Sequence, residues 1–323
     1  MRLSSITLRS SGSPPPRAYS QHAASRVREQ LTISQAAVKW YGKVVTRIRF
    51  RSLSNSLIYA LARFQSIRTV VSTCRRVSRL VKSTDTFQSD SDLIVGPPLE
   101  ETLSNIRSDA WCPGFSLKDD AVHELVNYMD SQKYVCRALP NEMKFRLNER
   151  KRLESQYDTS IAFAECADPC GSQLVESIAK DQMLRSIATE YFGYSPMKVY
   201  VRLLVSFVSN TAVAERLAQN QTVFFHYDPG DFRALSFFFY LSPVDEESGA
   251  HVLVPGTHGA KRMSQLFTSL SFSDDEIEEQ YPETRPVTIC GNPGDGFAED
   301  GFCFHKALCP KSRHRYMLQL GFT

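Results

Sequence analysis

The chain has no apolar run approaching the roughly 18 residues that a membrane-spanning helix needs, and no apolar stretch behind Met1 of the kind that opens a secretory signal. Paired CxxC spacing is missing too. The eight cysteines, at 74, 112, 136, 166, 170, 290, 303 and 309, include one near pair, Cys166 and Cys170, with no second pair to complete a zinc site. Without an export signal they read as reduced thiols, most of them packing residues, in a cytoplasmic protein. Acids are nearly absent from the first 83 residues, where 16 Lys and Arg face Glu29 alone. The rest of the chain carries 22 basic and 34 acidic residues, so the formal net charge of +3 conceals a basic arm joined to an acidic body. A nucleic-acid partner is not expected, because no reading module is recognisable and few aromatics interleave with the arm's charges.

What is present divides near Ser83. The first thirty residues are rich in Ser, Pro and Arg without apolar periodicity and read as disordered; the same composition also fits an organellar transit peptide. From Ser34 to Arg51, Ala37, Tyr41, Val44 and Ile48 recur at helical spacing, with Lys39, Lys43, Arg47 and Arg51 on another face. Leu57, Leu61, Phe64, Ile67 and Val71 repeat the pattern beside Arg63, Arg68, Arg75, Arg76 and Arg79. Basic amphipathic helices of this kind can dock on the acidic body, lie on an anionic membrane surface or meet phosphate-rich partners. The charge of the body favours docking, ahead of a peripheral membrane contact. The resulting division is a basic N-terminal region 1–83, a linker 84–113 with a GPP turn at 96–98, and a body 114–323.

Within the body, Ser116 with Asp119 predicts a capped helix through about Ser131, buried on Val122, Leu125, Val126 and Met129. Pro140 to Arg152 is dense in charge and reads as exposed. Leu174 to Gly193 predicts one helix stopped by its glycine, and Met197 to Val208 a core strand with Tyr200 and Arg202 on one face. Asn210 to Thr222 reads as a polar loop over a site mouth, and Ser271 to Pro286 as an acidic surface insertion. Val287–Ile289 and Phe297–Phe304 read as strands around glycine turns.

The body is organised around Phe224 to Gly259, FFHYDPGDFRALSFFFYLSPVDEESGAHVLVPGTHG. Alternate residues of a strand point to one face, so His226 and Asp228 can converge on one point. A non-haem Fe(II) triad needs one more histidine, with the opposite coordination face open. The C-terminal GFCFHKALCPKSRHRYMLQLGFT supplies His305 among Phe302 and Phe304, and ten residues later Arg315 at the mouth of an apolar strand. A guanidinium there could hold a carboxylate through two parallel hydrogen bonds. Each residue also has a plainer reading: His226 as a strand-end group bonded to Asp228, His305 as a satisfied core histidine, Arg315 as part of a solvated turn with Lys311, Arg313 and His314. Arg315 is preferred because it abuts the strand. His251 reads as a surface residue or one just behind the ligands, and His258 as part of a Pro/Gly turn; neither is a metal candidate.

With these residues in this order, the chain resembles the phytanoyl-CoA dioxygenase-like branch of the Fe(II)/2-oxoglutarate oxygenases. The carriers are His226-x-Asp228, SGAHVLVPGTHG, the distal His305 and Arg315 ahead of an LQL strand, within a likeness of element order over 114–323. The resemblance implies a mainly β fold with flanking helices, a double-stranded β-helix (jelly roll, cupin-like). It implies iron held by His226, Asp228 and His305, with Arg315 pairing the distal carboxylate of 2-oxoglutarate. Two details follow the same comparison. The family's hydroxyl residue two positions after the distal histidine is Ala307 here, and Asp228 fills the position that halogenating relatives leave empty. The implied activity consumes O2 and 2-oxoglutarate, releases succinate and CO2, and hydroxylates or otherwise oxidises a small-molecule metabolite. The alternative is a non-catalytic jelly-roll protein, cupin-like, in which the same side chains hold another metal or ligand. No residue pattern names the substrate, because function on a shared fold lives in the loops.

Overall fold

The computed structural model describes residues 8–10, 53–79, 90–219, 221–259, 261–267 and 271–323. The expected helix Ser34–Arg51 and almost all of the first thirty residues lie outside them. Strands are numbered in chain order. The larger of two antiparallel sheets runs β2 (Ile94–Val95), β3 (Trp111–Leu117), β11 (Asp295–Asp300), β8 (Leu235–Tyr240), β13 (Arg315–Phe322), β7 (Val199–Ser206), β6 (Phe163–Cys166), β4 (Tyr134–Val135), β5 (Lys144–Phe145). The smaller runs β1 (Leu8–Ser10), β10 (Val287–Ile289), β9 (His251–Val254), β12 (Phe304–Ala307). This is the mainly β, jelly-roll arrangement the resemblance implied.

The strands' side-chain alternation explains the layers. In β8, Leu235, Phe237 and Phe239 face a layer of helices, whereas Phe238 and Tyr240 face the smaller sheet. Both faces are therefore buried, and the sequence reads as one unbroken apolar run instead of an alternating one. β13 sends Leu318, Leu320 and Phe322 to the helical side, where Leu125, Met129, Ile178, Leu184 and Ile187 meet them. Its other face carries Arg315, Met317 and Gln319 into the space between the sheets. Gly321 lies on that same inner face, and the Tyr200 ring crosses its backbone so closely that any Cβ would collide.

Several expected boundaries move. The segment 84–113 is not a linker throughout: Leu99–Asp109 is a helix burying Leu103 and Ile106, and β3 joins the large sheet beside β11. Its Pro98 is the helix N-cap, so the GPP turn starts an element instead of spacing two domains. The helix after it is Asp119–Ser131, with Lys118 as N-cap and no side-chain cap; Ser116 sits in β3. Leu174–Gly193 is two helices, Gln173–Ala179 and Gln182–Phe192, divided where Asp181 accepts a hydrogen bond from the Leu184 amide. Asn210–Thr222 contains a short helix, Val213–Ala218. Phe297–Phe304 splits into β11 and β12 around Gly301. The acidic segment is no mere insertion, since its helix Asp274–Gln280 buries Ile277 and its Phe272 pairs with Phe225.

The second basic pattern forms two helices, Leu53–Leu61 and Gln65–Arg79, that pack on the body. Ala62, Ile58, Leu61, Ile67 and Val71 cover Phe225, Tyr227, Phe232, Phe302 and Phe304. Arg75 joins Asp231 at 3.0 Å and donates to the Tyr194 hydroxyl at 3.1 Å. Among the described residues no helix is long and apolar enough to cross a membrane. All eight cysteines are among the described residues and none is in a disulfide.

Candidate metal centre

His226 and His305 are far apart in the chain but face each other across an antiparallel bridge. Each backbone N–H donates to the other's carbonyl at 2.9 Å. Residues so paired project their side chains to one face, and the two imidazoles stand edge to face with centroids 4.3 Å apart. Asp228 follows two residues after His226, its amide donating to the Gly301 carbonyl at 2.7 Å. Asp228 Oδ2 lies 3.6 Å from His305 Nε2, and Oδ1 lies 4.0 Å from His226 Nε2. One donor atom from each of the three falls within 4.8 Å of the others.

The imidazole Nδ1 atoms test whether this set fits a metal. His226 Nδ1 is 3.1 Å from the Phe224 carbonyl and His305 Nδ1 is 3.1 Å from the Cys303 carbonyl. A carbonyl can only accept, so each Nδ1 carries a proton, and Nε2 is the nitrogen each ring turns toward Asp228, the atom a bound metal would take in place of any proton there. Both histidines thus have the tautomer and direction a metal ligand needs. The three side chains singled out in the sequence converge.

Glu299, which sequence reasoning missed, lies behind them on the inward face of β11. It is 1% exposed, with Oε1 3.0 Å from His305 Nδ1 and Oε2 2.8 Å from His251 Nε2. Burial favours its neutral form, but His305 and His251 outweigh burial and hold it down at about 2. Burial likewise opposes a charged His305, yet Glu299 and then Asp228 raise it to about 9; burial and the facing His305 lower His226 to about 4. His251 is not a surface residue. It is buried against Phe238 and stacks on His305 with centroids 5.3 Å apart. The signal for Glu299 was an acid inside the apolar GFAEDGF segment, where an uncompensated carboxylate is costly.

Arg315 sits at the start of β13, paired with Ser206 of β7, and is 4% exposed. Nη1 donates to the Gly249 carbonyl and Nη2 to Ser206 Oγ at 3.1 Å, while Nε has no partner. Burial lowers its pKa, with Tyr240 acting the other way. Among the described residues no carboxylate lies within ion-pair distance of it. Arg313, its rival in the sequence, is half exposed and paired with Asp245 at 2.7 Å. Ser206 Oγ, from the neighbouring strand, is thus the hydroxyl that stands against this guanidinium. A buried guanidinium with a free N–H and no acid beside it fits a site for one end of a dicarboxylate.

In front of the cluster, Tyr200 and Arg202 lie on the inward face of β7 and both feel the Asp228 charge. Arg202 forks onto Glu165, with Nε 2.9 Å from Oε1 and Nη2 2.8 Å from Oε2, and donates Nη1 to Gln319 at 3.2 Å. Tyr200 and Ser236 share a hydroxyl contact of 3.2 Å. The space facing the cluster is therefore polar, with its cation already neutralised.

The family model for phytanoyl-CoA dioxygenase (PhyH) matches residues 142–315, more than half of the chain. The chain belongs to the phytanoyl-CoA dioxygenase family. As a member it is an iron- and 2-oxoglutarate-dependent dioxygenase, with Fe(II) as cofactor and 2-oxoglutarate and O2 as co-substrates. No curated protein matches it by sequence. Among solved structures it is similar to EctD from S. alaskensis with bound Fe, at 15% identity over 73% of this chain and 79% of that one, TM-score 0.48. It is also similar to the epimerase SnoN from nogalamycin biosynthesis, at 18% identity over 70% and 82%, TM-score 0.47. AviO1 from Streptomyces viridochromogenes Tue57 is a third, at 12% identity over 74% and 96%, TM-score 0.43.

Proposed function

We propose that this family member hydroxylates, or otherwise oxidises, a small-molecule metabolite, with His226, Asp228 and His305 holding Fe(II) and Arg315 holding the distal carboxylate of 2-oxoglutarate. The observation that carries the reading is the convergence of the His226 and His305 Nε2 atoms with the Asp228 carboxylate. Bound iron and 2-oxoglutarate supply the oxidising chemistry, with release of succinate and CO2.

The chain's own residues do the positioning. The Phe224 and Cys303 carbonyls fix the imidazole planes, and Glu299, with Oε1 3.0 Å from His305 Nδ1, sets a carboxylate charge behind that ring. Arg315, dry and held by Gly249 and Ser206, keeps a rigid fork for the co-substrate. Asp228 stands at the open side, its side chain 59% exposed, which leaves room for co-substrate and substrate to approach. The neutralised Arg202–Glu165 pair, Tyr200 and Gln319 offer hydrogen bonds and no free charge, which suits an uncharged polar substrate more than an anionic one.

The test is succinate release over a panel of metabolites, with the His226→Ala protein as blank. Under argon, the protein given Fe(II) and 2-oxoglutarate should develop the weak visible band of a chelated oxoacid, and Arg315→Met should need far more 2-oxoglutarate to reach it. Absence of the band in the unaltered protein would return the chain to a non-catalytic binding role.

A further inference from the structure

A second site lies away from the iron ligands. Between the helix Gln65–Arg79 and the body is a cavity of about 260 Å³, reached by Asp300 from the face of β11 opposite Glu299. Its charged lining is Arg68, Arg76, Arg107, Arg233 and Asp300, four guanidinium groups against one carboxylate. That carboxylate is already satisfied. Asp300 Oδ2 accepts from the Tyr191 hydroxyl at 2.5 Å and Oδ1 from the Phe302 amide at 2.8 Å. Among the described residues, none of the four arginines lies within ion-pair distance of a carboxylate.

Arg68 is the informative member. It is only 9% exposed, it lies flat on the Phe302 ring at 3.8 Å, and its Nη2 donates to the His258 carbonyl at 2.9 Å. Its Nη1 is buried without a partner. Arg233 is steadied by Ser72, whose hydroxyl accepts from Nε at 3.2 Å, and its terminal nitrogens remain available. A buried guanidinium with an unbonded N–H beside three more cations is unfavourable on its own account, through desolvation and like-charge repulsion. An anion with several acceptor oxygens removes both penalties, and the planar forks of arginine match phosphate oxygens in pairs.

We propose that this cavity binds the phosphate group of a phosphate monoester, with Arg68 as its buried anchor and Arg233 and Arg107 closing on it from the rim. A dianion suits the excess of positive charge better than a single carboxylate does. The free volume holds one such group with a small substituent. Because the site is built on the seam between the arm helix and the body, its occupancy fastens the arm to the fold without touching the iron ligands.

The full chain, metal-free, is titrated with inorganic phosphate at constant ionic strength, chloride serving as the control. Phosphate should raise the melting midpoint by about 2–4 °C near saturation, and Arg233→Gln and Arg107→Gln should each weaken binding by roughly tenfold or more. Both residues are at least partly exposed and relieve like-charge repulsion when neutralised, so these variants should melt at or above the parent's midpoint when phosphate is absent. Arg68→Lys keeps the charge but loses the fork, and should also bind phosphate more weakly. Two further probes separate the sources of the phosphate group: glycerol phosphate in solution, and phosphatidylcholine vesicles containing phosphatidate. Tighter binding of the soluble ester assigns a free metabolite, and sedimentation with vesicles that Arg233→Gln abolishes assigns a lipid headgroup; each supports the site. A phosphate effect no larger than that of chloride, or one that the variants retain, overturns it.

Discussion

His305 shows how much of a side chain's behaviour is set by its neighbours. Its Nδ1 faces both the Cys303 carbonyl and Glu299, a carboxylate from another strand that is held charged by two histidines. Replacing Glu299 with Gln keeps the shape and removes the charge, so Fe(II) binding should weaken by roughly 10- to 100-fold; competition against a chromophoric chelator measures it, and unchanged affinity would refute the role. The same cluster gives the metal-free protein a pH signature. His226 is lowered to about 4 by burial and by His305, while His305 is raised to about 9 by Glu299 and Asp228 against burial. The folded pair therefore shares one proton between those limits, whereas the unfolded chain releases both near 6.5. From about 4 to 6.5 the unfolded chain binds the extra proton and stability rises with pH; from 6.5 to about 9 the folded chain does and stability falls. Melting of chelator-treated protein should peak near pH 6.5, and saturating Fe(II) under argon should flatten the alkaline limb, because ligated imidazoles carry no Nε2 proton.

At the scale of elements, the turn before β9 holds Arg315, the residue proposed to bind the co-substrate. Gly249 has φ +86°, and a Cβ there would lie 2.8 Å from Pro310 Cγ and 2.9 Å from the Leu308 carbonyl, while its own carbonyl receives Arg315 Nη1. Gly249→Ala is thus both strained and crowded, and should cost about 1–3 kcal/mol of stability. It should also raise the KM for 2-oxoglutarate by displacing Arg315. Urea unfolding and steady-state kinetics read the two effects separately, and loss of stability with an unchanged KM would break the link. The strand pattern around this turn was legible in the sequence because β8 and β13 are apolar enough to announce themselves. The break at Asp181 was not: apolar spacing runs through Lys180 with little interruption, and the division depends on a cap that the Leu184 amide selects.

At the scale of the molecule, the arm is not an appendage. The helices Leu53–Leu61 and Gln65–Arg79 cover Phe225, Tyr227, Phe302 and Phe304, the aromatic cluster that also backs the strand carrying His305. Burying such side chains contributes about 1.5–3 kcal/mol each. Deleting residues 1–83 should therefore lower the melting midpoint by more than about 5 °C or make the protein aggregate. A truncated protein with the parent's midpoint would show the contact to be incidental. The charge segregation read from composition finds its structural counterpart here in Arg75 with Asp231, whereas the cavity sets Arg68 and Arg76 of the arm beside Arg107 and Arg233 of the body.

The sequence by itself determined the order His226, Asp228, His305 and Arg315 and the apolar strands that carry them, because side-chain alternation and residue chemistry are local properties. Tertiary structure alone decided that Glu299 stands behind His305, that Ser206 puts its hydroxyl against Arg315, and that Leu99–Asp109 belongs to the body. Each depends on which strands become neighbours, and antiparallel pairing between residues a hundred apart leaves no trace in the spacing of either segment.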